Sequence, residues 1–590
     1  MSFRRLLGGI FALLFPLTLT ASIYLYLYPV LNGCAFPLPQ THETNTDNSS
    51  FLGQLKQNAA VHTFLQHLGA APATPTDNGS AIFRLLVLAD PQLEGDSSLP
   101  LPDWKLIPRI RTHWRAVQEA LTSASASTSF PHALLDQAVL DTIKSSAHAL
   151  FVEDIPRSLR ATQKQLDLLG NDYYLAHIYR TLFWWTRPTH TTVLGDLLGS
   201  QWIDDAEFAH RSERYWTRVF RDGIRVNDET TRPSAPGHKQ PLEPLGASAD
   251  PVWPRRIINV AGNHDIGYAG DVSPARMARF EREFGRANWD VRFAHPVDNT
   301  SVAAPTLHLI NLNTLVLDTP ALSEALQTDG YAYLNSLISR LYPVEDASVF
   351  TLLLTHLPLH KADGVCADGP YFTFHDADDT DAEPRWRTGG LREQNHLSDH
   401  ISATGVLQGI FGMSGNEDAP VGGRGRKGLI LTGHDHVGCD AVHYIDREHG
   451  DAEAGQSWSW AARRYGGREA DASGTPSIRE VTLRSMMGEF GGNAGLLSVW
   501  FDAQLGEWDY EIVMCPAGVQ HVWWAVHVSI LVTVLVGLFW VVAGFAAVGE
   551  GQSSVRLDLQ EKQKKQERGE EEEELRPTLT GVTLSKARRK

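Results

Sequence analysis

The sequence lacks a Cys-x-x-Cys pair: its four cysteines stand far apart, at Cys34, Cys366, Cys439 and Cys515. That spacing excludes a thiolate zinc site of the usual kind. Positive charge is also scarce. Over 590 residues, 52 lysines and arginines face 69 aspartates and glutamates, for a net charge of −17. A nucleic-acid partner would need a basic face, so that class is excluded. No internal repeat is present. Hydrophobic residues make up 43% and charged residues 21%, ordinary proportions that allow a large core.

Two long apolar runs are present, at residues 6–31 and 522–548. Both exceed the roughly 20 residues that a bilayer-spanning helix requires. Arg4 and Arg5 precede the first run, and Arg556, Lys562, Lys564 and Lys565 follow the second. Positive flanks of this kind predict two cytosolic ends and a luminal interior. The expected organisation is a cytosolic N-terminus at 1–5, a membrane helix at 6–31 and a luminal linker at 32–80. A luminal domain follows at 81–521, then a membrane helix at 522–548 and a charged cytosolic tail at 549–590. The alternative for the first run is a cleaved signal peptide ending near "TAS", although the apolar stretch continues past that point. Trp523, Trp524, Tyr24, Tyr26 and Tyr28 suit an aromatic interface belt.

Three N-x-S/T sequons, at Asn48, Asn78 and Asn299, lie in the expected luminal interval and are candidate glycosylation sites. So do all four cysteines. Their positions suggest Cys34 with Cys515 and Cys366 with Cys439, but three pairings are open and four free thiols are the alternative.

From Ala81 onward, apolar runs recur, each stopping on a polar cluster: "AIFRLLVLAD", "THTTVLGD", "RRIINVAGNHD", "LHLINLNTLVLD", "SVFTLLLTH" and "KGLILTGHDH". Runs without alternation suit strands buried on both faces in an α/β fold. "GLLSVWFD" and "EWDYEIVMC" predict a hairpin before the second apolar run, and residues 222–254, 376–395, 412–427 and 446–476 read as loops. The strand ends carry Asp90, then Asp196 in "GDLLGS", then Asn263, His264 and Asp265 in "GNHD". His356 in "THLPL" follows, and His434 and His436 in "GHDH" complete the set. Ligands at the carboxyl ends of buried strands converge on one sheet edge. Carboxylate, amide oxygen and imidazole together suit divalent manganese, iron or zinc. Each motif alone is weak, and the ordered set is specific.

The series D…GD…GNHD…H…GHxH resembles the calcineurin-like metallophosphoesterases over roughly residues 81–515. That resemblance implies two packed β-sheets flanked by helices and a pair of metal ions, most readily manganese. "ADPQL", "LLGNDYYL" and "RSMMGEFGGNAGLLS" resemble more narrowly an endoplasmic-reticulum branch that removes ethanolamine phosphate from the mannoses of GPI anchors. By that resemblance Asp196 bridges the ions. Asp90, Gln92 and His436 complete one site, and Asn263, His356 and His434 the other. His264 is implied to stabilise or protonate the leaving alkoxide.

Two positions depart from the superfamily pattern. Gln92 stands where a histidine ligand is usual, and Gly199 where "GDxxD" enzymes carry an aspartate that orients the catalytic histidine. An amide oxygen still coordinates a hard ion, though less strongly than imidazole binds a transition metal. Asp265, Asp204, Asp205 or Glu207 is left to orient His264. The glycine-rich turn after "RSMMGEF" is either a ligand-approach loop or a tight structural turn. Tyr173, Tyr174, Trp184 and Trp185 read either as a sugar-facing wall or as helix core. The tail "SKARRK" resembles a dibasic retrieval signal read by coat proteins, with Lys586 and Arg588 in place. The expected partners are thus GPI-anchored proteins or GPI glycan, a membrane and a coat protein. The rivals are a phosphoesterase for a nucleotide, lipid or phosphoprotein, and a non-catalytic GPI-cargo adaptor.

Overall fold

The computed structural model describes residues 3–39, 58–69, 81–95, 105–125, 135–232, 242–296, 303–377, 384–450, 457–467 and 474–574. Asn48, Asn78, Asn299, Lys586 and Arg588 lie outside them. Two compact units are present, Met1–Leu25 with Val522–Lys590, and Tyr26–His521.

The first unit contains two helices, Phe3–Tyr26 and Gln520–Glu574. Phe3–Tyr26 and the Gln520–Ala546 part of the second are long and apolar enough to cross a membrane, with mean hydropathies of 2.0 and 2.5. Thr18 and Thr533 share a buried hydroxyl hydrogen bond of 2.8 Å, and Phe11 stacks on Trp540 at 5.8 Å. Polar bridges and ring stacking of this kind hold helices together where apolar burial adds nothing. The charged tail continues as helix as far as Glu574.

The second unit is a sandwich of two mixed sheets. Its strands are β1 (Phe83–Leu88), β2 (His190–Val193), β3 (Ile224–Arg225), β4 (Leu242–Pro244), β5 (Arg256–Asn259), β6 (Trp289–Ala294), β7 (Thr306–Asn311) and β8 (Val349–Leu354). Then come β9 (Phe372–Phe374), β10 (Leu391–Gln394), β11 (Gly428–Thr432), β12 (Cys439–Asp446), β13 (Ser459–Arg464), β14 (Ser477–Thr482), β15 (Asn493–Asp502) and β16 (Glu507–Pro516). One sheet has the order β16-β15-β1-β2-β5-β3, the other β13-β12-β14-β11-β8-β7-β6-β4, and β9 and β10 form a separate ribbon. Within the sheets β1, β2 and β5 run parallel, as do β7, β8, β11 and β14.

The apolar runs explain the layering. Leu85 and Val87 of β1 meet Leu352, Leu429 and Val481 of the facing sheet, while Leu86 and Leu88 are equally buried on the outer face. Strands covered on both sides need no polar alternation. Some stretches read as loops carry strands after all. Ser459–Arg464 pairs antiparallel with β12, and Leu391–Gln394 pairs with β9. Their short polar sequences hide the pairing, β13 at the edge of its sheet and β10 in the two-stranded ribbon. Disulfides join Cys34–Cys515 and Cys366–Cys439, with Cα separations of 5.4 and 5.7 Å.

Candidate metal centre

Each candidate ligand follows a parallel strand by a few residues: Asp90 after β1, Asp196 after β2, Asn263 and His264 after β5, His356 after β8, and His434 and His436 after β11. The carboxyl ends of these strands lie together, so the five loops meet at one edge of the sandwich. Two groups result, Asp196 with His356 and His434, and Asp90 with Asp196 and His436, with Asp196 common to both. In each group the donor atoms lie within 4.8 Å of one another.

Tight backbone makes this convergence possible. A Cβ on Gly195 (φ 92°) would stand 2.3 Å from His356 Nδ1, and one on Gly262 would stand 2.0 Å from the Asp196 nitrogen. The glycines of "GD" and "GNHD" are therefore required by close approach. Asp90, Gln92, Asp196 and His434 all have positive φ, between 39° and 72°. Non-glycine residues held there cost about 1–3 kcal/mol each and persist where the surroundings over-determine them.

The tautomer of His356 defines the chemistry. Its Nδ1 lies 2.8 Å from the Leu194 carbonyl, which only accepts, so Nδ1 carries the proton. The lone pair on Nε2 then points at Asn263 Oδ1 at 2.9 Å and Asp196 Oδ1 at 3.3 Å. Three electron pairs aimed at one place, in a buried site, suit a cation. His434 is fixed in the same way: Nε2 donates to the Gln394 carbonyl at 3.0 Å, leaving Nδ1 bare. A ring nitrogen tied to a carbonyl is the usual outer support of a metal-binding histidine.

Gln92 Nε2 donates to Asp196 Oδ2 at 2.9 Å and lies 3.2 Å from His436 Nε2. Its side chain thus spans the two members of one group. Asp90 Oδ1 accepts from the His434 N–H at 3.1 Å, while its buried Oδ2 has no hydrogen-bond partner among the described residues. His264 donates its backbone N–H to Asp196 Oδ1 at 2.9 Å, and its imidazole is 38% exposed with Nε2 3.8 Å from Asp196 Oδ2.

Asp265 and Asp204, the expected orienters of His264, are engaged elsewhere. The Asp265 carboxylate accepts from the N–H groups of Gly262, Leu197 and Leu198, pinning the "GD" loop to the "GNHD" turn. Asp204 caps the helix Asp205–Arg214 by accepting from the Glu207 N–H at 2.8 Å. His264 Nδ1 is buried without a hydrogen-bond partner among the described residues.

Electrostatics follow burial. Burial and the neighbouring Asp196 push Asp265 up to about 8, and the same two effects raise Asp90 well above the carboxylate range. Burial also acts to raise Asp196, but His356, His264 and His434 outweigh it and bring the group down to about 2. Burial lowers His434 to about 3 and lowers His356 and His436 as well, so all three imidazoles are neutral donors near pH 7.

Two supports lie in a segment whose resemblance is visible in the sequence but whose contacts are not. Ser485 donates its hydroxyl to the Asp90 carbonyl at 3.1 Å and its N–H to the His436 carbonyl at 3.1 Å. Phe490 lies edge-on to His436 at 4.7 Å. The "RSMMGEF" segment thus braces two candidate ligands. The glycine turn after it packs structurally, since a Cβ on Gly492 would fall 2.2 Å from the Tyr174 hydroxyl. Of the four helix aromatics, Tyr174 and Trp185 are core, whereas Tyr173 and Trp184 are exposed.

Known proteins similar to the chain include the following three. Protein TED1 of Saccharomyces cerevisiae is 34% identical over 405 residues, covering 63% of this chain and 77% of that protein. An uncharacterised protein of Schizosaccharomyces pombe is 25% identical, covering 63% and 80%. Metallophosphoesterase 1 of Mus musculus is 22% identical, covering 47% and 57%. A crystal structure of a dimetal phosphatase from Danio rerio, 12% identical, overlaps 59% of this chain and 90% of its own at a TM-score of 0.25, too low to bear on the fold. No family model matches the chain.

Proposed function

Because the chain belongs to the calcineurin-like metallophosphoesterase family, as a binuclear metal-dependent phosphoesterase, we propose that it cleaves a phosphodiester on a membrane-borne glycan. The substrate we assign is ethanolamine phosphate on the mannose of GPI anchors. The setting is the endoplasmic-reticulum membrane, with the domain luminal and both ends cytosolic. This reading rests on the two apolar helices, the basic residues beside them and the family branch that "ADPQL" and "RSMMGEFGGNAGLLS" resemble.

The observation that carries the chemistry is the unprotonated Nε2 of His356 facing Asn263 Oδ1 and Asp196 Oδ1. Asn263, His356, His434 and Asp196 would hold one ion, and Asp90, Gln92, His436 and Asp196 the other. Oxygen and imidazole donors without thiolate favour manganese, with iron or zinc as alternatives. Two such ions supply Lewis acidity to the phosphoryl oxygens. The chain's own residues do the rest. Asp265 holds the two central loops together, and the Asp196 carboxylate sits beside His264, whose exposed imidazole is placed to pass a proton to the departing mannose oxygen. Gln92 would offer an amide oxygen to an ion if the amide that now faces Asp196 rotated.

The test is metal-dependent release of ethanolamine phosphate from a GPI-glycan fragment by the purified full chain, with metal content measured in parallel. Manganese-dependent release that His264→Ala abolishes supports the reading, and Gln92→His should bind metal more tightly. Bound metal with turnover of nucleotides alone points to a different phosphoester. Absence of both metal and turnover would leave a glycan-binding adaptor.

A further inference from the structure

The long helix Ile155–Thr186 touches both points where the folded unit continues into an apolar helix. His177 lies edge-on to Tyr26 at 5.1 Å, and Trp185 donates to the Cys34 carbonyl at 2.6 Å. At the other end Tyr174 donates to the Gly518 carbonyl at 3.2 Å, and Asn171 Oδ1 accepts from Gln520 at 3.2 Å.

The face that carries His177 extends backwards along the helix as an apolar stripe. At about 100° per residue, Leu159, Leu166, Tyr173 and His177 fall within about 40° of one another. Leu159 is 66% exposed, Leu166 57% and Tyr173 45%. From Leu159 to Tyr173 the stripe runs about 21 Å at 1.5 Å per residue. The opposite side of the helix is tied to the segment that follows Gln92. Lys164 pairs with Glu94 at 3.1 Å, and Asp172 pairs with Arg214, which also donates to the Glu94 carbonyl at 2.7 Å. Glu94 stands two residues after Gln92.

We propose that this helix lies in the headgroup boundary of the bilayer that the terminal helices enter, with Leu159, Leu166 and Tyr173 immersed. The inference rests on reading those helices as membrane spans. Exposed leucines and a tyrosine on one face, next to two points of membrane entry, fit an interfacial helix better than a water-facing one. The Gln92 edge of the metal centre then stands about one helix diameter, ~10 Å, above the lipid surface. A phosphoester carried by a lipid-anchored glycan meets the site there without the enzyme leaving the membrane.

The full chain reconstituted in phosphatidylcholine vesicles tests this directly. All four native cysteines are paired, so Leu159→Cys, Leu166→Cys and Arg160→Cys accept a fluorescent label cleanly, Arg160 being exposed on another face. Labels at 159 and 166 should be quenched at least about threefold more by lipid-borne nitroxide than the label at 160, and less by iodide. Equal iodide quenching at all three positions overturns the proposal. Protection from iodide without lipid quenching also overturns it, because protein then covers the stripe. Leu159→Glu with Leu166→Glu should lower kcat/KM about fivefold on vesicle-borne substrate and leave turnover of a water-soluble phosphodiester unchanged. Equal losses on both substrates count against the proposal. If the wild type turns over neither substrate while the quenching pattern holds, the phosphoesterase reading fails and the interfacial helix stands.

Discussion

Buried carboxylates in two regions are balanced differently: at the strand ends Asp90 and Asp265 are raised and only Asp196 is low, whereas Glu480 of β14 is held low beside a lysine. At the strand ends, Asp90, Asp196 and Asp265 contact imidazoles, one amide and backbone N–H groups among the described residues. Behind them, Glu480 of β14 is just as buried but is surrounded by donors. Lys361 gives it an ion pair at 2.8 Å, His443 donates to the same oxygen, and the Leu359 N–H reaches the other at 3.0 Å. Burial opposes ionisation at Glu480 too, yet Lys361 and His443 overcome it and hold the group at about 2, while Asp265 is pushed up to about 8. The difference lies in what supplies positive charge. Glu480 has a lysine built in and Asp265 has three backbone N–H groups, whereas Asp90 and Asp196, which face imidazoles, an amide and N–H groups among the described residues, are suited to receive metal.

Exchanging one group on each side sharpens the contrast. Asp196→Asn removes the shared donor and should abolish metal binding and lower kcat by more than about a hundredfold, seen by metal analysis and turnover. Lys361→Met takes from Glu480 its lysine, leaving His443 and the Leu359 N–H, and should cost about 3–5 kcal/mol in a denaturant titration. Turnover per folded molecule should survive that change. If Lys361→Met is neutral, the pairing argument fails.

A pH series reads the two sets together. A carboxylate raised on folding contributes stability below its unfolded value and loses it as pH climbs through the folded one. For Asp265 that window runs from the usual carboxylate range up to about 8. The chelated protein should therefore weaken between about pH 4 and pH 8, and the rise in Tm on adding Mn²⁺ should be greater at pH 7.5 than at pH 5. Glu480 contributes the reverse, stability present above the carboxylate range and lost as pH falls towards about 2. Asp204→Ala should be the mildest change, costing about 1 kcal/mol as a lost helix cap and leaving kcat unaltered. A large drop in kcat there would return Asp204 to the role of orienter.

The buried strands and their end residues were legible because double-sided burial writes continuous apolar runs, and each run stops on a residue whose chemistry differs sharply from it. The pairing of two sheets followed only from the family resemblance. The supports were not legible. The Leu194 and Gln394 carbonyls that set the tautomers of His356 and His434 belong to the backbone, so their residue type carries no trace of the task. Ser485 meets Asp90 across 395 positions of sequence, a pairing that no local pattern encodes. Asp265 was visible as a residue of interest, but its three N–H partners, which assign it to holding loops, exist only in the fold.

The Cys34–Cys515 bridge has a mechanical consequence. It links residues 481 positions apart, just inside the ends of the Tyr26–His521 unit. Tension arriving along either terminal helix can therefore pass from one side to the other through a few residues, the end of β16 and one sulfur pair, bypassing the other strands of the sandwich. Lateral drag in a fluid sheet would be borne largely by that clasp, at a distance from the loops that carry Asp196.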